Sequence, residues 1–145
     1  MFKKILYPVN LETGDASQTL LPRVTELAKQ WHAELVLLYV LPGFGMPLVA
    51  SFFPADAGEK MRAGGKALLD KFCSDNVPDE LSVTPIVAQG TPYERILAEA
   101  GRHGADLIVM PHRGRSEDAY YLVGTTTSKV VEHADCAVLV MRNTP

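Results

Sequence analysis

The 145-residue sequence predicts an α/β fold: a doubly wound, five-stranded parallel sheet with helices on both faces. Three observations carry that expectation. Five short apolar runs have the length of a buried strand and the branched residues strands favour. Most of them lack period-2 alternation, as expected of strands covered on both sides. Amphipathic helical stripes lie between them, so strand and helix alternate along the chain and the crossovers should be right-handed.

The first strand is predicted at Ile5 to Val9. Leu20, Val24, Leu27, Ala28 and Trp31 then fall on one helical face. Pro22 would break an interior turn, so this helix is expected to start near Thr19 or to kink. The second strand is Leu35 to Leu41. Met61, Gly65, Leu68, Leu69 and Phe72 make the next stripe, which Gly64 and Gly65 weaken by about 1 kcal/mol each. A third strand is expected at Leu81 to Val87, where Ser82 and Thr84 alternate with apolar neighbours. Thr91-Pro92-Tyr93-Glu94 reads as a capping box with proline at the first helical position. Tyr93, Ile96, Leu97 and Ala100 would face the core, and Gly104 supplies a left-handed stop. Leu107 to Met110 is the fourth strand. A last helix opens after Gly124 and runs through Val130 and Val131 to about His133, before a fifth strand at Ala137 to Met141.

Length and composition bound the function. One domain over residues 1–145 is expected, large enough to bury a core without disulfide or metal. The chain is 47% hydrophobic and 21% charged with net charge −3, which argues against disorder and against a basic nucleic-acid binder. Cys73 and Cys136 have no CxxC or His/Cys spacing, so a reducing cytoplasm is the expected compartment. Residues 35–55 carry no charge, but Pro42, Gly43, Gly45, Pro47 and Pro54 divide them. A strand and an apolar loop are therefore expected there rather than membrane insertion.

In a doubly wound sheet ligands bind beyond the carboxyl ends of the strands, where the strand order reverses. The loops that matter are then 10–14, 42–57, 88–90 and 111–124. The last carries the strongest chemistry. The segment PHRGRSEDAYYLVGTTTSK, residues 111–129, starts at a strand end and finishes by opening a helix with Thr125 to Ser128. Unpaired N–H groups and the helix dipole suit a phosphate there. Gly114 and Gly124 allow close backbone approach, the Thr hydroxyls can donate, and Arg113, Arg115 and Lys129 outweigh Glu117 and Asp118. The competing interpretation is a glycine-bracketed surface loop with an ordinary helix cap.

These residues resemble the universal stress proteins, which carry a Gly-x2-Gly-x9-Gly-Ser/Thr nucleotide motif after their fourth strand. Pro111-His112-Arg113-Gly114, nine residues and then Gly124-Thr125 have that spacing. Residues 134–141, ADCAVLVM, are similar to the family's closing run, KKILYPVN to its first strand, and GTPYERILAEA to the start of its third helix. The resemblance implies a Rossmann-like, adenine nucleotide alpha hydrolase-like domain acting in stress response as a cytoplasmic homodimer that binds ATP, with Mg²⁺ as an accompanying cation. It places Gly114, Gly124, Thr125 and Thr126, with Arg113 beside them, at the phosphates. Asn10, preceded by Pro8 and Val9, falls at the adenine, Val40 offers a backbone contact to the base, and Met110 and Pro111 lie against the ribose. It also implies that strand 137–141 pairs with its twin across a dimer axis.

Four positions depart from the family pattern. Asn10 replaces an acidic residue, though its amide oxygen can still accept from an adenine amino group. Pro111 replaces the first motif glycine and removes a backbone donor. Thr125 for serine keeps the hydroxyl, and Ala137 for proline restores an N–H.

Other signals are weaker. Gly43-Phe-Gly45 lacks the third glycine of a dinucleotide fingerprint, because Leu48 stands there, and no Walker A sequence precedes Lys129. His32, His103 and His133 sit at predicted helix ends, where a cation suits the dipole. His112 stands apart because it lies in the motif loop, and Glu117 and Asp118 are the carboxylates that could meet Mg²⁺. No nucleophile–base constellation has believable spacing. The expected function is therefore a regulatory or protective ATP-binding dimer. A dimeric interaction scaffold without nucleotide, and a slow ATPase or an enzyme that phosphorylates itself on Thr125 to Ser128, stay open as alternatives.

Overall fold

A computed structural model describes residues 1–43, 51–112 and 124–143. Along the chain these form β1 (Lys4–Val9), α1 (Ala16–Trp31), β2 (Glu34–Leu41), α2 (Ala57–Asn76), β3 (Val83–Gln89), α3 (Pro92–His103), β4 (Leu107–His112), α4 (Thr125–His133) and β5 (Ala137–Arg142). The strands make one parallel sheet in the order β3-β2-β1-β4-β5, which reverses between β1 and β4. Among the described residues no helix is long and apolar enough to cross a membrane.

The missing alternation in the central strands has the expected cause. Ile5, Tyr7 and Val9 of β1 pack with Leu35 and Leu37 of β2 under α1 and α2. Leu6, Val36 and Leu38 point the other way, against Ile96 and Ala100 of α3 and Val130 of α4. Successive strand residues face opposite sides, so a strand buried on both needs apolar groups at every position. The edge strands differ. β3 keeps only Ala88 buried, and β5 alternates between half-buried and exposed positions.

Several boundaries depart from the sequence expectation. The α1 helix starts at Ala16, not Thr19, because Asp15 caps it, accepting the Ser17 N–H at 2.9 Å. Pro22 lies inside this helix. The lost hydrogen bond and ring clash cost about 3 kcal/mol, offset by burial of Leu20, Leu21, Val24 and Ala28 on one face. The capping-box motif places the start of α3 and its proline correctly, but the Thr91 side chain makes no cap bond. The third strand is shifted two residues, because Leu81 is buried in the turn before it. On α2, Leu68 is exposed while Gly65 is buried, its face lying 3.0 Å from Leu41 Cδ1 where a Cβ would stand. Gly65 is thus a packing residue rather than a weakness. On α4, Val131 is exposed and Val130 fully buried.

Candidate functional site

The two central strands pair with each other only briefly. β1 and β4 match Ile5 with Leu107 and Leu6 with Ile108, and no further, whereas β1 follows β2 from Lys4 to Val9 and β4 follows β5 from Leu107 to His112. Below the seam Asp106 locks it. Its carboxylate accepts the Lys3 N–H at 2.9 Å and the Lys4 N–H at 2.9 Å, and its own N–H donates to Lys4 O at 3.0 Å. Above Ile108 pairing ceases, and a cavity of about 540 Å³ occupies the carboxyl end of the sheet. That volume lies in the range of small-molecule sites.

Nine of the eleven residues assigned to nucleotide binding from the sequence line this cavity. Pro8, Val9 and Asn10 come from the end of β1, Val40 from β2, Met110 and Pro111 from β4, and Gly124, Thr125 and Thr126 from the start of α4. Arg113 and Gly114 lie outside the described residues, as do Arg115 and the carboxylates Glu117 and Asp118. Pro111 belongs to β4, opposite Met141, beyond the last pair that β4 makes with β1. Its ring therefore sits in a strand, where φ near −65° is tolerable and where β1 asks for no further partner.

The β1–α1 loop is held firmly beneath the cavity. The Asn10 N–H donates to Ser17 Oγ at 2.9 Å, and Ser17 Oγ donates to Asp15 Oδ2 at 2.6 Å. The Tyr7 hydroxyl, fully buried, donates to Ser17 O at 2.7 Å. Gln18 Nε2 bridges Asn10 O at 2.8 Å and Glu12 O at 2.7 Å. Asn10 Oδ1 accepts the Glu12 N–H at 2.9 Å, an Asx turn. This amends the expectation for Asn10: its oxygen is already engaged, keeping one lone pair, while Nδ2 has no partner among the described residues.

The opposite wall is the open end of α4. Gly124 precedes the helix with no side-chain cap bond, and the first intrahelical bond described there is Ser128 N–H to Gly124 O at 2.9 Å. The N–H groups of the first turn are orphan donors of the kind that bind anions. Thr125, Thr126 and Thr127 all line the cavity beside them. Lys129, one turn on, holds its ammonium 4.6 Å from the centre of the Tyr93 ring, which ties α4 to α3. Behind Pro42 of the lining, Gln89 Nε2 donates to Pro42 O at 3.2 Å, and Arg62 Nη1 donates to Gln89 Oε1 at 2.9 Å.

Sequence reasoning missed several lining residues, Glu12, Tyr39 and Pro92, with Ile96 assigned only to the core and Thr127 named only within the hydroxyl run from Thr125 to Ser128. His112, noted for its place in the motif loop, lines the cavity from the end of β4. Tyr39 precedes Val40 in β2, and Glu12 lies two residues beyond Asn10 in the loop after β1. Among the described residues no group of three or more His, Cys, Asp and Glu side chains could hold a metal ion.

Sequence and structure comparisons agree with this geometry. A model of the universal stress protein family matches residues 1–142. Universal stress protein MJ0531 of Methanocaldococcus jannaschii is 27% identical over 145 residues, covering 98% of this chain and 83% of that protein. The solved structure of MJ0577, a universal stress protein from the same organism, superposes with a TM-score of 0.79 at 25% identity, covering 100% and 99% of the two chains. A universal stress protein crystallised in complex with cAMP superposes with a TM-score of 0.68 at 17% identity, covering 99% and 98%. The sheet order, the cleft at its reversal and a match that runs almost from end to end have one consequence: the chain belongs to the universal stress protein family.

Proposed function

We propose that the cavity binds an adenine nucleotide, with ATP as the expected ligand, and that the protein acts as a regulatory or protective module rather than a dedicated catalyst. One observation carries this reading. Residues from three strand ends and one helix start, expected to hold base, sugar and phosphates, line a single cavity at the strand-order reversal. The base would lie by Asn10 and Val40, the ribose by Met110 and Pro111, and the phosphates at Gly124, Thr125 and Thr126. The donors at the start of α4 fit that polyanion: uncapped helix N–H groups and hydroxyls, with no acidic residue in the first turn. A relative of the same fold was crystallised with cAMP, which supports an adenine ligand as the first to test. Titration with ATP, with and without Mg²⁺, should raise the melting temperature. A hundredfold excess over Kd stabilises by about 2.7 kcal/mol. No stabilisation at millimolar nucleotide would overturn the reading and leave the interaction scaffold in its place.

We further propose that the protein is a cytoplasmic homodimer joined through β5. The two edges of the sheet support this. β3 carries Pro85, which cannot donate to a ladder, whereas Ala137 to Met141 contains neither proline nor charge. Leu139 is 38% exposed on that strand and Val131 of α4 is 51% exposed. Val138 packs partly into the core, so Leu139 is the cleaner test. Leu139→Asp should halve the mass seen by light scattering at unchanged helix content. A wild-type monomer would overturn the dimer.

A further inference from the structure

Glu12 is the one acidic residue among the described residues that line the cavity. Its backbone is fixed on both sides: the N–H donates to Asn10 Oδ1 at 2.9 Å, and the C=O accepts Gln18 Nε2 at 2.7 Å and the Asp15 N–H at 3.2 Å. Its carboxylate, at the exposed rim, has no hydrogen bond or ion pair among the described residues. We propose that Glu12 reads the ribose hydroxyls of the nucleotide and selects a ligand with a free 2′,3′-diol. This rests on the nucleotide reading above.

Charge decides where Glu12 can act. A carboxylate beside the phosphates would repel them, and the phosphates have their donors on the α4 side. Glu12 is carried on the same Asx turn as Asn10, two residues away, so it stands at the base end of the cavity. The sugar lies between base and phosphates, and a ribose diol offers two O–H donors to two carboxylate oxygens. Such charge-assisted bonds are stronger than neutral ones, and an acidic residue on the 2′-hydroxyl is how dinucleotide sites choose their sugar. The clamped backbone keeps the side chain near one place without binding its head, which favours a ligand that brings donors. A phosphate on the 2′ or 3′ oxygen would be rejected by the same charge.

The test is calorimetric titration of ATP, 2′-deoxy-ATP and 3′-deoxy-ATP in EDTA, using the wild type, Glu12→Ala and Glu12→Gln. Wild type should prefer ATP to either analogue by about tenfold, the scale of one charged hydrogen bond at a wet rim. Glu12→Ala should weaken ATP by about the same factor, leave the deoxy analogues unchanged and so lose the preference, with Glu12→Gln between. Both variants keep the backbone bonds, and melting temperature checks that they fold. Equal binding of ATP and its deoxy analogues by wild type overturns the assignment, as does a preference that survives in Glu12→Ala. A preference seen only when Mg²⁺ is restored also overturns it, because Glu12 would then hold a cation. If ATP binds but the ratio never moves, only Glu12 is wrong. If no adenine nucleotide binds, the nucleotide reading fails and this assignment with it.

Discussion

The two ends of the β1–β4 seam treat the same backbone chemistry in opposite ways. At the amino end Asp106 gathers the Lys3 and Lys4 N–H groups and returns its own N–H to Lys4 O, so polar groups are satisfied within the protein. At the carboxyl end the strands stop pairing after Ile108, and the start of α4 there has no side-chain cap bond among the described residues. One end is closed by the protein's own groups, and the other holds the cavity proposed to take a nucleotide. Buried or half-buried polar groups are normally paired, so the uncapped helix start marks where binding can be favourable at little folding cost.

The seam's closed end should give the largest change in stability. The Asp106 carboxyl sits below its usual range: desolvation by burial opposes this, but hydrogen bonds from the Lys3 and Lys4 backbone and the Lys3 charge outweigh it. Removing an acceptor shared by two N–H groups costs about 2 kcal/mol, screening at this partly exposed site having been allowed for. Asp106→Ala should therefore lower the urea midpoint while leaving nucleotide affinity nearly unchanged. The pH dependence has a definite sign. A carboxyl depressed in the native state stabilises above its unfolded value near ~3.9 and loses that contribution as pH falls through the native value. Wild type should thus lose stability below about pH 4 more steeply than Asp106→Ala. If the variant instead loses nucleotide affinity at unchanged stability, the division between the two ends is wrong.

The open end should show the reverse pattern. A Cβ added at Gly124 meets nothing within 4 Å among the described residues, and its φ of −58° is ordinary for any residue. Neither the described packing nor the backbone conformation needs glycine here. Gly124→Ala should leave the melting temperature within error and weaken nucleotide binding about tenfold, roughly 1.4 kcal/mol, because the methyl group intrudes only on a ligand. Full binding by the variant would mean that the phosphates sit elsewhere.

How far the sequence could carry this division depends on what each feature rests upon. Strand positions were legible because a strand buried on both faces must be apolar throughout, as Ile5, Leu6 and Tyr7 are. The start of α4 was legible from Gly124 and the hydroxyl run. The sequence leaves the start of α1 between Thr19 and an earlier start with a kink, because Pro22 suggests a break, and Asp15 with the burial of Leu20 and Leu21 sets it at Ala16. Leu81 reads as strand by hydropathy and lies in a turn, because an apolar residue can enter the core without pairing. The site was legible only in part. Asn10 and Thr125 follow from strand and helix ends, but the presence of Glu12 and Tyr39 in the cavity lining depends on how early β1 and β4 part. That is a property of three dimensions. The Asp106 lock was hidden for the same reason, its partners lying more than a hundred residues away in sequence.

Smaller effects sharpen the contrast at the closed end. His32 ends α1 with φ 53°, a left-handed residue that is not glycine. That conformation costs an L-residue about 1 kcal/mol, so His32→Gly should raise stability by up to that amount with binding untouched. Beside it, Lys4 Nζ and Glu34 Oε2 lie 3.3 Å apart with side chains 32% and 55% exposed. This pair joins β1 to β2 at the same end as the Asp106 lock, yet solvent screens it and both side chains must be ordered to form it. A double-mutant cycle with Lys4→Met and Glu34→Gln should give a coupling of about 0.5 kcal/mol or less, fading in high salt. A coupling that persists at high salt would show the ion pair sharing in the lock. Its loss would place the closure of the seam on the Asp106 carboxylate and the backbone it holds.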